Sequence, residues 1–158
     1  MRRHCAGFTL IELLVTLALI GLLATITVPL AQLNLQRKNE QELRLALREI
    51  RTAIDLYKRA SDEGRIPRSI GASGFPTSLE LLVEGVVDQR DPNGRKIFFL
   101  RRIPRDPLFA NSATNDSETW GKRSYASEAD DPKEGDDVFD VYSKNTGLAL
   151  NGISYKRW

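Results

Sequence analysis

The sequence predicts an α+β fold in which one long N-terminal α-helix packs on a small antiparallel β-sheet. Three observations lead to this prediction: an uncharged, mostly apolar run from Leu13 to Ala31, a helical apolar periodicity that continues after it, and short strand-like segments beyond Gly85. With 158 residues, of which 28% are charged and 41% hydrophobic, the chain can form one ordinary folded domain besides the apolar run.

The apolar run is long enough to cross a membrane. At about 1.5 Å per helical residue it extends roughly 28 Å, close to the hydrocarbon thickness of a bilayer. Arg2 and Arg3 precede the run, which favours a cytoplasmic N-terminus with the rest of the chain on the other side. A cleaved secretory signal is the competing interpretation, but its apolar core usually covers only about 7 to 15 residues. We therefore expect one membrane span.

The helix is expected to continue beyond the membrane as an amphipathic segment. Apolar residues recur at steps of three and four, and the charged residues between them, Arg44, Arg48 and Arg51 included, fit a solvated face. The apolar positions are Leu43, Leu47, Ile50, Ile54 and Tyr57. No glycine or proline interrupts residues 30–63, so both segments can form one helix that ends near Gly64.

Pro29 is the exception inside this predicted helix. Proline removes the backbone donor that would bond the Thr25 carbonyl, and its ring crowds the same turn. We expect a kink or a local loss of helix there, with a role in assembly. The alternative is that Pro29 only bends a membrane helix, in which proline is common.

The remaining residues show the pattern of a small β-rich head. Residues 64–76 are rich in glycine and proline and read as a loop, after which Thr77 or Ser78 can cap a short helix over residues 79–84. Four strand-like segments follow, at residues 95–103, 120–126, 138–143 and 153–158.

Composition and charge exclude several classes of function. Without Arg2 and Arg3, 21 basic residues (23 less 2) balance 21 acidic ones, so nucleic acid is not a favoured partner. His4 and Cys5, the only histidine and cysteine, precede the apolar run. A chain that loses this leader has no Cys-His or Ser-His chemistry and no ordinary zinc site. A membrane-anchored hydrolase that uses the carboxylates of residues 127–137 stays as an alternative.

The stretch "GFTLIE" at residues 7–12 follows a short basic leader and precedes a long apolar helix. In this it resembles the type III signal of type IV pilins and pseudopilins. The resemblance implies that a prepilin peptidase cleaves between Gly7 and Phe8 and that Phe8 is then N-methylated. It also implies that Glu12 pairs with the N-terminal amine of a neighbouring subunit, and that Pro29 is the family's helix-breaking proline.

The head is similar to that of the major pseudopilin of type II secretion systems. The similar segments are "FLRRIPRDPL" at 99–108, "WGKRSY" at 120–125 and "DVFDVYSKNTGLALNG" at 137–152. The resemblance implies a structural subunit without enzymatic activity that polymerises into a helical fibre and helps to export folded proteins. A type IV pilin of a surface fibre, for adhesion, motility or DNA uptake, is the alternative.

The same resemblance implies an organisation, a location and a set of partners. We expect a cleaved leader at residues 1–7, a membrane and assembly helix at 8–33 in the bacterial inner membrane, and a periplasmic head at 34–158. The expected partners are further copies of the chain, the prepilin peptidase, the minor pseudopilins and the assembly platform of the inner membrane.

Calcium is the one cofactor that the resemblance raises. The major pseudopilins bind it through a serine after the last long strand and two acidic residues near the C-terminus. Ser143 matches the serine, but "ISYKRW" stands where the acidic pair is expected. Asp136 and Asp137, in an acidic stretch without EF-hand spacing, are alternative oxygen ligands. We therefore expect no cofactor, with calcium at these three residues as the weaker hypothesis and a solvated acidic loop as its alternative.

Overall fold

A computed structural model describes residues 8–158, so Gly7 and the rest of the predicted leader lie outside the described residues. The first element, α1, is a single α-helix over Leu10–Asp62. This confirms the prediction of one long helix that ends near Gly64. Contacts along the chain divide it into a first unit that ends at Lys38 and a second unit, Asn39–Trp158.

In the first unit, α1 presents an apolar surface to its surroundings. Its most hydrophobic 18-residue window has a mean hydropathy of 2.4, and none of that window is buried. The helix is therefore long and apolar enough to cross a membrane. Pro29 lies inside α1 and the helix continues through it without a local loss of helix. The other predicted outcome, a kink, and a role of Pro29 in assembly stay predictions. The hydroxyls of Thr25 and Thr27 donate to the carbonyls of Leu22 and Leu23 at 2.7 and 2.8 Å.

In the second unit, the predicted apolar face of α1 forms one side of the hydrophobic core. Leu43 and Ile50 are completely buried, and Leu47, Ile54 and Tyr57 are at most 8% exposed. The other side of the core includes Leu79, Leu82, Leu100, Trp120, Val138, Val141, Ala149 and Tyr155. Fully burying a leucine or isoleucine side chain contributes about 1.5–3 kcal/mol, so this face holds the head on the helix.

A short helix and a two-stranded hairpin follow α1. Helix α2 is Glu80–Glu84, and β1, Val86–Val87, pairs antiparallel with β2, Lys96–Ile97. The α2 prediction is confirmed, but Leu79 stands at its N-cap and no side chain caps it. β2 is much shorter than the strand predicted at residues 95–103. The backbone N–H groups of Phe99 and Leu100 both donate to the Leu82 carbonyl of α2 and so do not pair with β1.

The second hairpin forms a separate sheet, so the head contains two two-stranded sheets instead of one larger sheet. β3, Trp120–Arg123, pairs antiparallel with β4, Asp140–Ser143, with Gly121 opposite Tyr142. A Cβ atom at Gly121 would lie 2.3 Å from the Tyr142 ring, so only glycine fits beside it. The strand predicted at residues 153–158 is wrong. A 3₁₀ helix over Tyr155–Arg157 occupies this position, after a single bridge between Leu148 and Ser154.

Candidate functional site

The first site lies at the start of α1, where Thr9 and Glu12 bond each other. Glu12 Oε2 accepts hydrogen bonds from the backbone N–H and the hydroxyl of Thr9, both at 2.9 Å, and the Thr9 hydroxyl accepts one from the Glu12 N–H at 3.3 Å. Because Thr9 directly precedes the first helical residue, this reciprocal arrangement is a capping box. Its sequence signal is a threonine three residues before a glutamate, ahead of an apolar run.

The cap uses only part of the Glu12 carboxylate. A carboxylate has two oxygens and accepts about four hydrogen bonds, whereas Glu12 Oε1 makes none within residues 8–158. The Glu12 side chain is exposed, as is that of Phe8, next to the predicted cleavage point. Glu12 can therefore cap its own helix and still receive a donor from another molecule.

The second site is where α1 holds the final segment of the chain, residues 147–158. Glu40 is only 5% exposed, and its Oε1 accepts the Leu150 N–H at 2.8 Å and the Tyr155 hydroxyl at 2.9 Å. Three turns further along α1, Arg51 donates to the Trp158 carbonyl at 2.7 Å. Two side chains of α1, Glu40 and Arg51, therefore hold this segment by hydrogen bonds.

Arg51 also joins the final segment to β4. Its Nε donates to the Asp140 carboxylate at 2.7 Å and its Nη2 to the Val141 carbonyl at 3.1 Å. Charge-assisted hydrogen bonds are about twice as strong as neutral ones, and the planar guanidinium suits several acceptors at once. Arg51 was predicted to lie on the solvated face of α1, and the structure instead gives it three partners.

The three candidate calcium ligands have different partners in the structure. The hydroxyl of the buried Ser143 donates to Asp106 Oδ2 at 2.6 Å, and Asp106 Oδ1 accepts the Leu108 N–H at 2.8 Å. Asp137 accepts hydrogen bonds from the Ser73 hydroxyl and, at 2.8 Å, from the Tyr125 N–H. Asp136 is exposed.

These residues do not form a ligand set that fits calcium. Calcium takes six to eight oxygen ligands around one point. Within residues 8–158 no group of three or more aspartate, glutamate, histidine or cysteine side chains is arranged to hold a metal ion. That the chain needs no cofactor stays a prediction, with calcium at Ser143, Asp136 and Asp137 as its weaker alternative.

Asp137 is a partly buried acidic residue whose surroundings lower its pKa. Burial disfavours its charge, but hydrogen bonds from Ser73, from the Tyr125 N–H and from Ser124 outweigh burial and hold the pKa of the carboxyl below its usual value. Asp137 therefore joins the loop around Ser73 to the end of β3 as a carboxylate.

A cleft of about 600 Å³ opens beside α1 and the final segment. We call it the arginine cleft because four arginines line it, together with one acidic residue and Trp158. Its charged residues are Arg44, Arg48, Arg51, Asp55 and Arg157. The guanidinium carbon of Arg44 lies 4.4 Å from the centre of the Trp158 ring, a cation–π contact. Sequence periodicity placed Arg44, Arg48 and Arg51 on a solvated face of α1 but gave no sign of the cleft.

The start of the chain carries a processing motif. Residues 2–28 match the prokaryotic N-terminal methylation motif. The motif includes the start of the long helix α1, and a small head with antiparallel strands follows that helix. Together they define a type IV pilin-like protein.

Similarity over the head narrows this class to one family. This chain is 29% identical over 108 residues to the protein named type II secretion system core protein G of Vibrio cholerae serotype O1, and the match covers 66% of each chain. It is 30% identical over 105 residues to the protein of the same name from Escherichia coli K12, and this match covers 64% of this chain and 65% of that one. The Pseudomonas aeruginosa protein of the same name is 31% identical over 113 residues, 67% of this chain and 70% of that one.

The chain belongs to this family, the pseudopilins named core protein G, and not to the type IV pilins of surface fibres. The matches span about two thirds of the relatives' length. No solved structure matches the chain significantly. The relatives are named as core proteins of a secretion system, and the lack of catalytic activity in this chain stays a prediction.

Proposed function

We propose that the chain is a structural subunit of a type II secretion pseudopilus. It is cut by prepilin peptidase between Gly7 and Phe8, N-methylated on Phe8, and polymerised to drive the export of folded proteins. Before assembly α1 anchors it in the inner membrane with a cytoplasmic N-terminus and a periplasmic head. Minor pseudopilins and the assembly platform are its further partners. The observation that carries the proposal concerns Glu12. Its Oε2 caps the start of α1, and its Oε1 accepts no hydrogen bond within residues 8–158.

A carboxylate at the apolar end of a membrane helix needs a compensating partner, because polar groups within a bilayer are costly unless they are bonded. Thr9 satisfies one oxygen of Glu12, whereas Oε1 accepts no hydrogen bond from residues 8–158 and is left for a second donor. Cleavage after Gly7 creates a positively charged amine on Phe8. The amine of a neighbouring subunit neutralises Glu12 when the two helices come together, and this pair is stronger in an apolar layer than in water.

The surface of the first unit supplies the packing for such a polymer. Large apolar side chains along α1, from Phe8 to Leu35, are exposed in the single chain. Helices in lipid associate through van der Waals packing and polar contacts. In our proposal the subunits exchange lipid for neighbouring helices, and the Glu12–amine pair sets their relative position.

The test compares Glu12→Val with Glu63→Val, which removes an exposed glutamate just after α1. We expect both variants to be inserted and cut, with a methylated Phe8 found by mass spectrometry of the N-terminus. Only Glu12→Val should lose most of its sheared fibres in cells that contain the assembly machinery. Wild-type fibre yield with Glu12→Val would refute the assembly role, and an N-terminus other than Phe8 would refute the cleavage site.

A further inference from the structure

We propose that the arginine cleft of one subunit receives the acidic segment, residues 127–137, of a second copy. The inference rests on the proposed polymerisation and adds to it a contact between heads. It identifies the partner surface by charge, and the carboxylates of the second copy bind the guanidinium groups of the first.

The cleft contains positive charge that the chain itself does not neutralise. Arg44 and Arg48 are exposed, and neither forms an ion pair within the described part of the chain. They are four residues apart on α1, so their side chains are neighbours on one helix face, where like charges repel. Asp55 is the one acidic residue that lines the cleft. Because Arg51 pairs with Asp140 and Arg157 with Asp130, the positive charge that remains there is that of Arg44 and Arg48. A carboxylate from outside would relieve this repulsion.

The residue types of the cleft are those that dominate protein interfaces. Tryptophan and arginine are enriched among the residues that contribute most to binding. Trp158 is held against Arg44 through its ring and against Arg51 through its carbonyl, so part of the surface is already ordered. Ile153, 47% exposed, adds an apolar edge to the cleft. Binding therefore orders few additional side chains.

The acidic segment carries the complementary charge. It contains six acidic residues and one lysine. Asp131 pairs with Lys133 at 2.9 Å, and Asp130 pairs with Arg157 at 3.2 Å. Both pairs are highly exposed, and such pairs contribute little and exchange readily. Glu128, Glu134 and Asp136 are exposed and form no ion pair with any residue from 8 to 158.

The two surfaces differ, which suits a fibre. When two different patches of the same protein bind each other, the first and last subunits of the row each keep one patch free for a further copy. The row becomes an open helix when the rotation between neighbouring subunits does not close into a ring. Complementary charges across such a contact fix its register. The arginine cleft and the acidic segment thus supply a head-to-tail contact that can repeat along a polymer.

Disulfide cross-linking of the full chain in membranes tests the contact directly. The sole native cysteine is replaced by Cys5→Ser, and Arg48→Cys is combined in turn with Glu128→Cys, Glu134→Cys and Asp136→Cys. We expect at least one pair to give a ladder of covalent multimers on oxidation. The matched control combines the same acidic positions with Arg59→Cys, an exposed arginine three turns along α1 and outside the cleft. It should give no ladder.

Charge exchange supplies an independent readout that a purely structural role would not produce. We expect Arg48→Glu or Asp136→Arg alone to lower the ladder formed by Arg44→Cys with Glu128→Cys by about tenfold, and the two together to restore it. The amount of membrane-inserted monomer, measured by immunoblot, should stay constant.

The outcomes separate this inference from the proposed function. Suppose that fibres form normally but none of the three cysteine pairs gives a ladder, or the disulfides are only intramolecular. That result would overturn the proposed contact between heads and leave the proposed function as a pseudopilus subunit standing. Unchanged ladders after charge reversal would also overturn it. Failure of the unsubstituted chain to form any fibre would overturn both.

Discussion

The Tyr155 hydroxyl donates a hydrogen bond to Glu40 over 2.9 Å and so joins residues 115 positions apart. The same oxygen of Glu40 accepts the Leu150 N–H, and Arg51 holds the Trp158 carbonyl three turns away. The final segment is therefore fixed to α1 by polar contacts as well as by the buried Tyr155 ring. Any change that loosens these contacts also alters the wall of the arginine cleft.

Tyr155→Phe should destabilise the head. It leaves the ring in place but removes one donor from a buried carboxylate that keeps the Leu150 N–H, and a hydrogen bond to a charged group contributes about 1.5–3 kcal/mol. We expect the melting temperature of the full chain in detergent to fall by several degrees. Tyr125→Phe is the control because Tyr125 is 62% exposed, and it should melt like the wild type. Equal melting temperatures for the wild type and Tyr155→Phe would contradict the importance of this bond.

Acid should weaken the head partly through Asp137. Its pKa is lower in the folded chain than the ordinary value of about 3.9, so its ionised form stabilises the fold above that pH, and the contribution is lost as the pH falls through the folded value. We expect Asp137→Asn to be less stable than the wild type at pH 7 and to lose less stability between about pH 5 and pH 2. Urea unfolding at several pH values measures this.

The neighbouring residue is the control for this experiment. Asp136 is exposed and forms no ion pair within residues 8–158, so Asp136→Asn should follow the wild-type pH curve. If Asp137→Asn also follows that curve, the hydrogen bonds from Ser73 and Tyr125 do not hold the carboxylate in its ionised form.

Calcium should have little influence on the head, because two of its three candidate ligands, Ser143 and Asp137, already have other partners. Ser143 donates to Asp106, and Asp137 accepts hydrogen bonds from Ser73 and Tyr125. The Asp140 carboxylate of β4 is already paired with a cation, the Arg51 guanidinium. We expect the same melting temperature with millimolar calcium and with a chelator. Arg51→Met, in contrast, should lower it in both conditions. A large rise of the melting temperature with calcium would contradict this prediction and show that a set of calcium ligands forms on binding.

Long-range periodicity in the sequence was enough to predict α1 and its buried face, because positions such as Leu43, Leu47 and Ile50 follow the helical repeat over many turns. The segment 153–158 was wrongly predicted as a strand, since its apolar and aromatic residues favour extended structure. The positive φ of 78° at Gly152 turns the chain just before it, and a 3₁₀ helix follows.

The polar contacts of the site were harder to predict than the fold. Glu40 and Arg51 look like ordinary charged residues of a helix, and their roles depend on partners about a hundred residues away. The pair of Thr9 and Glu12 is different, because both members and the apolar run after them are adjacent in sequence. Local chemistry could be recognised from the sequence, whereas contacts that require the folded head could not.

The apolar window of α1 has none of its residues covered by the rest of the chain. Under our proposal a single protomer is held in the bilayer and diffuses in two dimensions until it joins a fibre. Under our proposal, the speed at which a fibre lengthens follows the areal density of waiting protomers, and extraction from the bilayer is the step that an energy-consuming machine must drive.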